Sequence, residues 1–114
     1  MNLTTTVETT NNTAKIILAG ELDGNNADQF KAKIEEVAAL NPQRLILLMN
    51  DLEYMASAGL RILIFAKQKM GKDVDIYIIG AKEMVLDTIE KTGFHHSVIL
   101  LKDESEISDN TEKN

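Results

Sequence analysis

The sequence predicts an α/β domain: a mixed, mostly parallel β-sheet with an N-terminal β-hairpin, packed against α-helices. Three observations carry this. After two opening strand-like segments, helical and strand-like patterns alternate in the order β-β-α-β-α-β-α-β, the mark of parallel strands joined by crossover helices. The run Arg44 to Asn50 (RLILLMN) is apolar without alternation, as expected of a strand covered on both faces. The 114 residues suffice for one hydrophobic core and not for two.

Thr4 to Glu8 alternates weakly and is rich in threonine, so it reads as an edge strand. Asn11-Asn12 is a turn signal, and Ala14 to Ala19 (AKIILA) forms the second arm of the hairpin, ended by Gly20. Asn25 to Leu40 reads as a helix, because Phe30, Ile34, Val37 and Ala38 fall on one face. Asn26 with Gln29 resembles a capping box, and Asn41-Pro42 stops the helix. A second helix, Ala58 to Met70, ends at Gly71 with Lys67 and Lys69 in its last turn, where cations oppose the dipole. Its first half (AGLRILIFA) is apolar nearly all round and must be largely buried. Asp75 to Ile79 is a strand, Lys82 to Thr92 a third helix closed by Gly93, and Ser97 to Leu101 a short last strand. Residues 1–101 are expected to form the domain. The tail 102–114 is acidic with one apolar residue, Ile107, and is expected to be frayed or disordered.

Twelve Lys and Arg against eighteen Asp and Glu leave a net charge of −6. That balance opposes binding to nucleic acid or to an anionic membrane, both of which need a basic patch. No cysteine is present, so disulfides, thiolate metal sites and thiol nucleophiles are excluded. The polar start and the short apolar runs predict a cytoplasmic protein without signal peptide or membrane span.

No P-loop, dinucleotide fingerprint or nucleophile elbow occurs. His95 and His96 are adjacent, so their side chains are expected to diverge from a regular backbone and to lie exposed in a loop. No catalytic residue, metal ligand or cofactor is therefore assigned. Asp51 and Glu53 would be the pair for an acid–base enzyme, with Glu53 expected in a loop before the second helix, but no second polar cluster supports them. The informative segment is Asp51 to Arg61 (DLEYMASAGLR), which leaves the apolar strand and opens a helix. Ser57 falls where the N-cap is expected, its hydroxyl accepting from the free N–H groups of Gly59 or Leu60. Gly59 in the first turn costs about 1 kcal/mol against alanine, which suggests close approach by another group. The acidic turn Gly20 to Gly24 (GELDG) would lie beside Ser57 in such a sheet.

Gly20-Glu21-Leu22-Asp23, Leu45 to Leu48 leading into Asp51-Leu52, Tyr54 to Leu60 (YMASAGL), Arg61-Ile62-Leu63 and Lys91 to Phe94 (KTGF) together resemble the STAS domain. Within it they are most similar to stand-alone bacterial anti-sigma factor antagonists. The resemblance covers about residues 3–101 and implies a non-enzymatic protein that switches partners. It implies an anti-sigma factor of serine-kinase type as partner, Ser57 as phosphorylation site and a serine phosphatase as resetting enzyme. Asp23 matches the family's loop aspartate. The implied partner-facing residues are Asp23, Gly24 and Asn25 with Ala56, Ala58, Gly59 and Leu60. Ala56 stands where the family usually has aspartate, and Ala58 where it has a second hydroxyl. A monomer in isolation is expected. The alternatives are a constitutive scaffold with Ser57 as cap, and a small-ligand or nucleotide-binding module using the rim from Asp23 to Ser57.

Overall fold

The computed structural model describes residues 2–107. Strand β1 (Leu3–Thr10) pairs antiparallel with β2 (Thr13–Leu22), and β2, β3 (Arg44–Met55), β4 (Asp75–Ile79) and β5 (Ile99–Leu101) run parallel in spatial order β1-β2-β3-β4-β5. Helices α1 (Ala27–Ala38), α2 (Ser57–Met70) and α3 (Glu83–Lys91) fill the three crossovers. The α/β architecture and the hairpin agree with the sequence reading.

Strand order equal to chain order has a consequence. Every crossover steps the same way across the sheet, so the right-handed rule places all three helices on one face. There Ile16, Leu18, Leu47 and Ile78 meet Phe30 and Ile34 of α1, Leu63 and Ala66 of α2, and Val85 and Ile89 of α3 in a single core. The second face receives no crossover helix, yet Ile46, Tyr77 and Ile79 on it are buried. Ile107 covers them, itself only 5% exposed. The expectation of an undocked tail is thus corrected as far as Ile107; residues 108–114 lie outside the described part. The docking is built from the polar residues that suggested fraying. Asp103 accepts from the Ser105 N–H (2.9 Å), Glu106 accepts from the Asp103 N–H (3.2 Å), and Lys15 pairs with Glu104. Asp103-x-x-Glu106 is a capping box, and residues 105–107 are helical.

Several element bounds move. Helix α1 begins at Ala27, and Asn26 and Gln29 form no capping box: Gln29 Nε2 instead donates to the Leu3 carbonyl (2.9 Å), tying α1 to the edge strand. Strand β3 runs five residues past Asn50, which places Glu53 in a strand and not in a loop. A 3-10 turn, Phe94–Ser97, occupies the predicted start of β5. In it the rings of His95 and His96 lie against each other, with centroids 3.9 Å apart and planes tilted by 38°, where divergence was expected. That expectation holds for α and β backbone and fails in this tighter turn.

Strand β3 takes up two more residues than β2 through register shifts between Ile17 and Ala19 and between Gly20 and Glu21. The shifts bring Leu22 opposite Met55, both fully buried. Gly59 sits on this pair. A Cβ there would lie 2.7 Å from Leu22 Cγ and Cδ2 and from Met55 Cγ. Gly20 answers a different need: φ is +102°, and a Cβ would lie 2.2 Å from the Asn2 carbonyl oxygen, which accepts from the Glu21 N–H (3.0 Å).

Two stability measurements follow from this packing. Gly59→Ala gains about 1 kcal/mol in helix propensity but overpacks a filled contact at a cost of about 1–3 kcal/mol, so urea unfolding should show a net loss. Ile107→Ala should lower the unfolding free energy by about 2 kcal/mol. No change there would mean that the second sheet face is not covered by this residue.

Candidate functional site

The site lies where β2 and β3 end. Because Leu22 and Met55 are in register, Asp23 and Ala56 leave the sheet side by side, and the Ala56 N–H donates to the Leu22 carbonyl (2.9 Å). The acidic turn and the Ser57 segment are therefore neighbouring loops, as the sequence suggested.

The first loop is held by two side chains. Asp23 accepts from the Asn25 N–H (2.9 Å), an Asx turn that orients its carboxylate at the half-buried loop base. Asn26 Oδ1 accepts from the Asp23 N–H (2.9 Å), and its Nδ2 donates to the Glu21 carbonyl (2.9 Å). Asn26 is 9% exposed, the one buried polar or charged residue among those described. Gly24 and Asn25 project into solvent.

On the second loop the N-cap of α2 is Ala56, with extended backbone (φ −83°, ψ 171°), and no side chain caps the helix. The expectation that Ser57 is the N-cap is corrected. The Ala56–Leu22 bond ties residue 56 to the end of β2, and the Ala56 carbonyl already accepts from Gly59 (2.9 Å) and Leu60 (3.3 Å). Ser57 is thus the first helical residue, exposed, with a hydroxyl that caps nothing. Ala58 is half-buried. Gly59 and Leu60, expected to face a partner, are buried: Gly59 rests on Leu22 and Met55, and Leu60 belongs to the core. The surface of the site comprises Asp23, Gly24, Asn25, Ala56, Ser57 and Ala58.

The charges around it are unevenly placed. The N–H groups of Ser57 and Ala58 have no intrahelical acceptor, as at any helix start, and no acidic residue stands in the first turn of α2. Asp51 is exposed, and exposed Glu53 pairs with Lys82 at 3.4 Å. Among the described residues no group of three or more His, Asp or Glu is placed to hold a metal, and no helix is long and apolar enough to cross a membrane. A cleft of about 420 Å³ lies between α3 and β5, lined by Gly80, Leu86, Glu90, Leu100 and Lys102 among others, and it includes no residue of the rim from Asp23 to Ser57.

Three residues of this region were not singled out from the sequence as parts of it. Asn26 was read as a helix cap, and its inward hydrogen bonds exist only once β2 turns into α1. Tyr54, 40% exposed at the end of β3, was legible as a motif member without its exposure. Arg61 stands four residues after Ser57, and that spacing alone could have marked it.

The sequence profile of the STAS domain matches residues 4–113, and the chain belongs to that family. The anti-sigma-F factor antagonist RsfB of Mycobacterium tuberculosis is 32% identical over 79 residues, which make up 69% of this chain and 65% of RsfB. The match thus spans a little under two thirds of that relative. A crystal structure of an anti-sigma factor antagonist from Mycobacterium paratuberculosis superposes with a TM-score of 0.85 at 25% identity, covering 92% of this chain and 90% of that one. The Bacillus cell fate determinant SpoIIAA in its phosphorylated form shares the fold, with a TM-score of 0.74 at 20% identity over 95% of this chain and 99% of its own.

The two loops respond differently to truncation. Asn26→Ala leaves the Asp23 N–H and the Glu21 carbonyl without partners and should cost about 1–3 kcal/mol in denaturant unfolding. Ser57→Ala removes no cap and should stay within about 0.5 kcal/mol of wild type.

Proposed function

We propose that this protein is an anti-sigma factor antagonist: a non-enzymatic cytoplasmic binding domain that captures an anti-sigma factor of serine-kinase type and is released when that kinase phosphorylates Ser57. The observation that carries the reading is the position of Ser57. It is exposed on the first turn of α2, beside the Asp23 loop, and its hydroxyl serves no structural bond. A serine that the fold does not use is available to be modified without unfolding the domain. The name of RsfB and the phosphorylated form of SpoIIAA support the same reading.

In the unmodified state, Asp23, Gly24 and Asn25 on one loop and Ala56, Ser57 and Ala58 on the other present a small, largely uncharged rim with a single carboxylate. Such a surface can be desolvated against a partner at little cost. Phosphoryl transfer joins the Ser57 oxygen to the γ-phosphorus of ATP, releases ADP and gives the hydroxyl proton to a base on the kinase. The new group carries up to about two negative charges. In the free domain these meet the N-terminus of α2. Inside an interface they must be desolvated or repelled, near Asp23, Asp51 and Glu53 of an already acidic protein, which costs several kcal/mol. A serine phosphatase restores the binding form. Ala56 and Ala58 leave Ser57 as the only hydroxyl on this turn, so the phosphoacceptor is unique there.

The test compares Ser57→Ala and Ser57→Asp with wild type in binding isotherms against the cognate anti-sigma factor, alongside phosphate incorporation from ATP. Ser57→Ala should bind like wild type and take no phosphate. Ser57→Asp should fold normally and bind at least about tenfold more weakly, equivalent to about 1.4 kcal/mol. Equal binding by both variants, with no phosphate on wild type, would leave a constitutive scaffold instead.

A further inference from the structure

We propose that Arg61 is a positioning residue for the phosphoryl group on Ser57, pairing with it across one turn of α2. The proposal rests on the reading of Ser57 as phosphoacceptor and concerns a side-chain pair, not the helix end. Ser57 and Arg61 are both exposed and stand at i and i+4 of the same helix. Side chains four apart on a helix are neighbours, and long side chains lean toward the N-terminus, so Arg61 leans toward Ser57. An anion four residues before a cation is the favourable order of such a pair.

Arg61 has no ion pair in the described part of the chain, whereas Lys82 is engaged by Glu53 (3.4 Å) and Lys31 lies over the Phe65 ring (4.9 Å to the centroid). The charged side chains of the two loops and of the strand ends beside them are Glu21, Asp23, Asp51 and Glu53, all carboxylates; the cations of these strands, Lys15 and Arg44, stand toward the opposite strand ends. A phosphoryl group on Ser57 therefore finds Arg61 as the one cation within a turn of it on its own helix, Lys67 and Lys69 standing in the last turn, and a guanidinium suits it, since its planar fork matches phosphate oxygens two at a time. The pair would hold the phosphoryl group down along the helix surface.

The experiment installs phosphoserine at position 57 by genetic encoding, so the outcome does not depend on whether any kinase uses the site. Wild type, Arg61→Gln and Arg61→Lys are each prepared with serine and with phosphoserine. The change in melting temperature on phosphorylation should be more favourable in the wild-type chain than in Arg61→Gln by about 2 °C. Phosphorus NMR titration should find the phosphate's second ionisation in wild type lower by about 0.3 unit than in Arg61→Gln, with Arg61→Lys between them. The titration separates pairing from a structural effect of Arg61, which would move both melting temperatures and leave the ionisation alone. Equal increments and equal midpoints in wild type and Arg61→Gln would overturn the pair. Absence of phosphate transfer by the cognate anti-sigma factor would overturn the reading of Ser57 and leave this measurement intact.

Discussion

The contact between Gly59 and the Leu22–Met55 pair sets the geometry on which the rest of the site depends. With no side chain at residue 59, the first turn of α2 descends onto two buried strand-end residues. That descent keeps Ala56 within reach of the Leu22 carbonyl, starts the helix at Ser57 and turns the serine outward. It also explains why glycine stands in a helix where alanine would be the better helix former. The cost in backbone entropy is local, and what it secures is the relative position of two loops from two different strands.

The one-sided placement of the helices shapes everything else. Sequential strand order makes the crossovers stack on one face, which concentrates most of the apolar side chains there. The opposite face would be left open, and a short capped segment from beyond β5 covers part of it through Ile107. The apolar character of β3 thus needs two different covers, one from the crossover helices and one from the chain end. Both loops of the site emerge at one end of the sheet, so a partner can engage them without displacing either cover.

Electrostatics would make this end of the sheet sensitive to the proposed modification. The helix start is uncapped and carries no acid in its first turn, while the acidic groups sit on the adjoining loop and strand. On the proposed reading, a phosphoryl group at Ser57 would be tolerated by the free domain, because helix N–H groups face it, and would be costly in a complex, because a doubly charged group would have to be desolvated beside an acidic rim. On that reading the same few side chains would serve two states with opposite consequences.

Periodicity and composition by themselves determined the element order, the hairpin, the single core and the segment around Ser57. These depend on local spacing: the apolar faces of α1 and α3, the unbroken run in β3, and the glycine and proline stops. The motif pieces further placed Asp23 and Ser57 in one region, because strands in register bring their C-terminal ends together. What local spacing could not reveal were matters of long-range contact. Ser57 looked like a cap because serine before a helix usually is one, and only the bond from Ala56 to Leu22 moved the helix start by a residue. The resemblance set Gly59 and Leu60 toward a partner, and only the seating of the helix on Leu22 and Met55 put them inside the domain. Asn26 looked like a cap until β2 offered it inward partners. Ile107 looked stranded in a polar tail, because the apolar partners that bury it, Ile46, Tyr77 and Ile79, lie about thirty to sixty residues earlier in the chain and meet it only after the sheet has formed.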